Sequence, residues 1–140
     1  MADQPLQQEP RDAPRRSILV VEDEALIAMM LQDELESLGI HVVGPVSNLA
    51  SAIYVAQTAE LDAALLDLNI NDDYATEVAD ILRARGVPFL FATGYKRPED
   101  PRYRDVEVLA KPFTRSELRA ALVSLLKAGR RAASAVGKKG

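Results

Sequence analysis

Cysteine is absent from this 140-residue chain, and histidine occurs once, at His41. Without a thiol there is no disulfide framework, no thiolate zinc site and no thiol nucleophile, a pattern that fits a reducing compartment. The opening Met1-Ala2-Asp3-Gln4-Pro5 lacks a basic start followed by an apolar run, and no stretch approaches the length needed to cross a bilayer. A cytoplasmic protein with no membrane contact is expected. A chain of this length forms one domain with tails and buries a core without metal or disulfide staples.

Charge is unevenly spread. The net value is -4, residues 1–16 carry three acids and three bases, and residues 129–140 hold Arg130, Arg131, Lys138 and Lys139 with no acid, so the body between them carries -8. Such a body argues against nucleic-acid binding by the folded domain, because phosphate contacts need clustered bases. The first sixteen residues are rich in proline and glutamine. Residues 1–16 and the basic residues 129–140 therefore read as disordered tails around a domain at 17–128.

Within that body, apolar runs alternate with helical periodicity. Ile18-Leu19-Val20-Val21 reads as a buried strand opening onto Glu22-Asp23-Glu24. From Ala25 the period becomes helical, with Ile27, Met30, Leu31, Leu35 and Leu38 on one face, Asp33, Glu34 and Glu36 off it, and Gly39 as a left-handed cap. Val42 to Val46 is a second strand, which Pro45 marks as an edge strand or as one ending there. Asn48 is placed to cap a helix through Gln57, with Leu49, Ala52, Ile53 and Ala56 inward.

Ala63-Ala64-Leu65-Leu66 then runs without alternation, as a strand covered on both faces requires, and a carboxylate, Asp67, follows at once ahead of Leu68-Asn69. By itself Asp67 reads as the start of a loop. Ile70 to Ala75 is a polar loop, and a helix from about Thr76 to Arg85 is stopped by Gly86. Val87 to Ala92 is a fourth strand ending in Thr93-Gly94-Tyr95. Lys96 to Asp105 is so charged and proline-rich that a fourth helix there should be short or disordered. Val106 to Ala110 is a weaker fifth strand before Lys111-Pro112-Phe113. Thr114 and Glu117 then form a capping box for a last helix with Leu118, Ala121, Leu122, Leu125 and Leu126 inward.

Five strands alternating with helices through short connections imply an α/β fold, a doubly wound parallel sheet with helices on both faces. Ligands in such folds bind beyond the carboxyl ends of the strands. That rule gathers Glu22 and Asp23, Asp67, Thr93 and Lys111 on one rim. Clustered carboxylates repel one another, so a hard divalent cation, Mg2+, is the natural occupant, and the lack of Cys or a nearby His argues against zinc. A cation, a carboxylate, a hydroxyl and an ammonium suit phosphoryl transfer: Asp67, ionised at neutral pH, attacks phosphorus, while Thr93 and Lys111 contact phosphoryl oxygens.

On Glu22-Asp23, Asp67, Thr93 and Lys111-Pro112-Phe113, taken in strand order, residues Ser17 to Lys127 resemble the receiver domain of two-component response regulators. The resemblance implies a flavodoxin-like sheet of order 2-1-3-4-5. It also implies a phosphorelay in which Asp67 accepts a phosphoryl group from a sensor histidine kinase or histidine phosphotransferase. Mg2+ would be bound by Glu22, Asp23, Asp67 and the backbone carbonyl of Asn69, and a cis proline would follow Lys111. Pro88-Phe89-Leu90-Phe91-Ala92-Thr93-Gly94-Tyr95 is similar to the signature of stand-alone receivers, found mostly in alphaproteobacteria and linked to the general stress response.

That narrower resemblance implies no output domain, a monomer with a weak dimer as alternative, and signalling through contact with a downstream protein or competition for phosphoryl groups. It does not imply a metabolic enzyme. One departure stands out: the switch aromatic that receivers commonly place three residues before the lysine is Val108 here. Tyr95 and the loop to Arg104 are the expected carriers of the signal instead, through an order-to-disorder change.

His41, with no acidic or histidine neighbour in sequence, reads as a surface residue. A Mg2+-dependent phosphohydrolase would share the aspartate nucleophile, but its general acid two residues on is Asn69 here, and no cap domain is in view. A receiver-like scaffold that never takes up phosphate is the third reading.

Overall fold

In a computed structural model that describes residues 15–71, 73–94 and 100–139, a five-stranded sheet has the order β2-β1-β3-β6-β7. Its strands are β1 (Ser17–Val21), β2 (His41–Val46), β3 (Ala63–Leu66), β6 (Phe89–Thr93) and β7 (Val108–Ala110), all paired in parallel. This is the expected 2-1-3-4-5 order, with the proline-bearing β2 at an edge. The helices are α1 (Ala25–Ser37), α2 (Leu49–Thr58), α3 (Thr76–Ala84) and α4 (Arg115–Lys139). The expected N-terminal tail, Asp72 and Tyr95 lie largely or wholly outside the described residues.

Alternate residues of each strand face opposite sides, so the sheet has two cores. Leu19, Val21, Leu66 and Phe91 pack with Ala52 and Ala56 of α2 and Val78 and Leu82 of α3. Ile18, Val20, Leu65 and Leu90 pack with Leu31 and Leu35 of α1 and Leu118 and Leu122 of α4. Gly39 and Gly86, at φ 78° and 76°, end α1 and α3 as expected. The Asn48 side chain accepts from the Ser51 N–H at 2.8 Å, and Thr114 and Glu117 exchange side-chain to backbone bonds of 3.0 and 2.8 Å.

Several expectations need correction. In place of a plain loop, β4 (Asn69–Ile70) pairs antiparallel with β5 (Asp73–Tyr74), with Ile70 fully buried and Asn71 in the left-handed region at φ 52°. Glu34, assigned to the outer face of α1, is buried. Arg119 of α4 lies across it and donates from Nε and Nη2 at 2.9 and 2.6 Å. Leu38, assigned inward, is exposed.

The helix expected to give way to a tail by residue 129 continues to Lys139. Its alanine-rich sequence favours helix, and Gly129 lets it pass close to the sheet, since a Cβ there would stand 3.2 Å from Pro88 Cγ and 3.3 Å from the Asp62 carbonyl. In the stretch where a helix was doubtful, the described residues hold a single 3-10 turn, Pro101–Tyr103. No helix among the described residues is long and apolar enough to cross a membrane.

Candidate functional site

Sheet register delivers the rim. Val21 pairs with Leu66, so Glu22 and Asp67, the next residues of each chain segment, leave adjacent strands at one level. The ladder continues past them, for the Asp67 N–H donates to the Val21 carbonyl at 2.9 Å and the Glu22 N–H to the Val46 carbonyl at 2.9 Å. On the other flank Thr93 pairs with Ala110, and the Lys111 N–H donates to the Thr93 carbonyl at 3.0 Å. The helices after β1 and β3 pack on opposite faces, α1 on one and α3 on the other, so the crevice at the switch point opens beside Asp67.

Lys111 is the hub of this rim. Its Nζ stands 2.7 Å from Glu22 Oε1, 3.1 Å from Glu24 Oε1 and 3.1 Å from Asp67 Oδ2. Burial alone would lower the affinity of this ammonium for its proton, but the hydrogen bonds and charges of Glu22 and Asp67 outweigh it, and the Lys111 pKa is raised. Burial acts in the other sense on Glu22. It pushes that carboxyl up to about 7, against the bonds from Lys111 and the Glu24 N–H that favour its anion. Thr93 is fully buried at the end of β6, and Lys111-Pro112 is a cis peptide bond.

The third acid of the cluster is Glu24, not Asp23: oxygens of Glu22, Glu24 and Asp67 lie within 4.8 Å of one another. Glu24 is in extended backbone, φ -87° and ψ 114°, before α1 begins, so the two-residue alternation of a strand persists through the acidic run. Glu22 and Glu24 therefore share a side and Asp23 faces away. Its Oδ2 accepts from the Asn71 N–H at 3.0 Å, while Asn71 Nδ2 donates to the Ser47 carbonyl at 3.0 Å. The signal for Glu24 was present as Glu-Asp-Glu, and only the backbone conformation at the strand exit chooses between its members.

Asn69 is adjacent, its N–H donating to Asp67 Oδ1 at 3.2 Å. Val108 pairs with Phe91 and is half-buried, and His41 is exposed. One aromatic that the sequence reading passed over is fully buried here: Tyr103 meets Phe91 edge to face at 5.9 Å. Its hydroxyl donates to the Asp80 carboxylate, and Arg83 and Arg102 lie over the ring at 5.4 and 5.2 Å.

The donor chemistry fits a hard cation. Three carboxylates share one ammonium, leaving surplus negative charge, and all the ligand atoms in the cluster are oxygens. Such an ion would offset the surplus negative charge of the cluster.

Comparison with known proteins follows the same line. The sequence profile of the response regulator receiver domain matches residues 18–123. The phyllosphere-induced regulator PhyR of Methylorubrum extorquens is 32% identical over 119 residues, which cover 78% of this chain but only 43% of PhyR. The solution structure of SdrG from Sphingomonas melonis is 46% identical, with a TM-score of 0.71 over 80% of this chain and 97% of SdrG. A receiver domain of a Pseudomonas aeruginosa sensor histidine kinase has a magnesium ion coordinated in its active site cleft. It is 26% identical, with a TM-score of 0.68 over 81% of this chain and 99% of its own.

Proposed function

The chain belongs to the response regulator receiver domain family, and on that premise we propose that Asp67 accepts a phosphoryl group from a phosphohistidine donor in a Mg2+-dependent reaction. The observation that carries this reading is Lys111 Nζ, 3.1 Å from the buried Asp67 carboxylate at the open end of the sheet. A nucleophile held against a fixed ammonium has the means to neutralise the oxygens of the group it attacks. Glu22, Asp67, the Asn69 carbonyl and Asp23, once released from the Asn71 N–H, would hold the ion. Thr93, at the end of β6, would contribute its hydroxyl to a phosphoryl oxygen, a role supported by its position on the strand next to Lys111.

The output is a protein contact or competition for phosphoryl groups, and the likeness to SdrG and PhyR supports a place in the general stress response. The donor partner is a sensor histidine kinase or a histidine phosphotransferase. Signal transfer runs through Tyr95 and the loop to Arg104 in place of Val108. Incubation with Mg2+ and acetyl phosphate, followed by intact mass measurement, tests the core of the proposal. One added phosphoryl group, lost in Asp67→Ala, is the expected result. Turnover of many phosphoesters would identify a phosphohydrolase instead, and no adduct even from a phosphohistidine protein would leave only a scaffold.

A further inference from the structure

The three acids around Lys111 are not equivalent. Glu22 and Asp67 are buried, with side chains 1% and 6% exposed, whereas the Glu24 side chain is 62% exposed and stands at the opening. Glu24 also occupies the N-cap position of α1, yet its side chain makes no capping bond. An acid at a helix N-terminus gains from the exposed N–H groups and the dipole. Here the carboxylate is turned instead to Lys111 at 3.1 Å, and its backbone N–H is held by Glu22 Oε2 at 3.1 Å.

A phosphoryl group approaching Asp67 thus meets a carboxylate only partly neutralised by the ammonium it shares with Glu22 and Asp67, and must compete with it for Lys111. We infer that Glu24 is a specificity-determining residue for the phosphoryl donor. Its charge disfavours small, multiply charged donors and favours a protein that carries a lysine or arginine beside its phosphoryl group. This inference rests on the receiver reading above.

The chemistry balances with either of two small donors. With acetyl phosphate, an Asp67 oxygen bonds to phosphorus as the bond from phosphorus to the acetyl oxygen breaks and acetate leaves with the electron pair. With phosphoramidate, the phosphorus–nitrogen bond breaks and ammonia leaves. Acetyl phosphate arrives as a dianion at neutral pH, while phosphoramidate carries its own ammonium. Repulsion from a carboxylate a few ångströms away therefore weighs more on the first, and salt screens it.

The test follows adduct formation on Asp67 by intact mass for wild type, Glu24→Gln and Glu24→Lys, with each donor, at low and high salt. Mg2+ affinity is measured separately from backbone amide shifts. Glu24→Gln should speed the acetyl phosphate reaction about fivefold and the phosphoramidate reaction about twofold or less, Glu24→Lys should widen the gap, and high salt should close it. Mg2+ affinity should fall by no more than about threefold in Glu24→Gln, because the ion would lose a nearby charge but keep Glu22, Asp23, Asp67 and the Asn69 carbonyl. An unchanged ratio between the donors would overturn the inference while leaving the receiver reading intact. A large loss of Mg2+ affinity in Glu24→Gln would also overturn it, by making Glu24 a cation ligand. Wild type that takes phosphate from neither small donor nor a phosphohistidine protein would remove the receiver reading itself.

Discussion

Around Lys111 three carboxylates share one ammonium whose side chain is 10% exposed, whereas around Arg102 two aspartates, Asp80 and Asp100, meet a guanidinium that is 59% exposed. The first cluster is buried apart from Glu24 and has three acids to one base. The second is open to water with two acids to one base, Arg102 Nη2 standing 2.7 Å from Asp100 and Nη1 3.2 Å from Asp80. Desolvated charge in the first is expensive and strongly coupled, so any charge added or removed there is felt by the whole cluster. Solvated charge in the second contributes little energy, and what it holds in place is a fully buried ring, Tyr103. One region keeps its energy in charges and the other in packing.

Substitutions at Tyr103 should give the largest effect and bear directly on that contrast. Tyr103→Ala removes a ring packed on Phe91 and should cost about 4 kcal/mol in urea unfolding, whereas Tyr103→Phe, losing only the hydroxyl's bonds to Asp80 and the Thr76 carbonyl, should cost about 1 kcal/mol. Equal losses for the two would mean that the hydroxyl network, and not the ring, anchors this segment. Next is Lys111→Met. It strands Glu22 beside Asp67 and should cost about 3 kcal/mol, with part recovered by millimolar Mg2+, a recovery absent from Tyr103→Ala.

Removing an acid should act with the opposite sign. Asp67→Asn relieves repulsion in the under-neutralised cluster and should raise stability by about 1 kcal/mol in Mg2+-free buffer, while abolishing the phosphoryl adduct. A destabilised variant would show that Lys111 needs Asp67 more than the other acids repel it. Arg102→Gln should leave the urea midpoint almost unmoved at any salt concentration, and a marked shift would dissolve the contrast between the two clusters.

Residues whose place depends on local pattern were legible in the sequence. The apolar runs at 18–21, 63–66 and 87–92, each followed by a polar residue, placed Glu22, Asp67 and Thr93 at strand ends, and Thr114 with Glu117 marked the start of α4. Residues whose place depends on a neighbour from elsewhere in the chain were not. Glu34 looked like an outward acid until Arg119 covered it. Tyr103, in a charged stretch with no apolar stripe, enters the core only because Phe91 and α3 form its pocket.

The sequence by itself determined the alternation of strands and helices, their order along the chain and the identity of the groups at the rim. Hydrophobic period and cap chemistry act over a few residues, and the parallel topology follows from short connections. Tertiary structure alone decided which acids meet. Sheet register set Glu22 level with Asp67, and extended backbone at the exit of β1 turned Glu24 toward Lys111 and Asp23 toward Asn71. That choice rests on backbone angles at one residue and on contacts across more than forty positions of sequence, which no local pattern encodes.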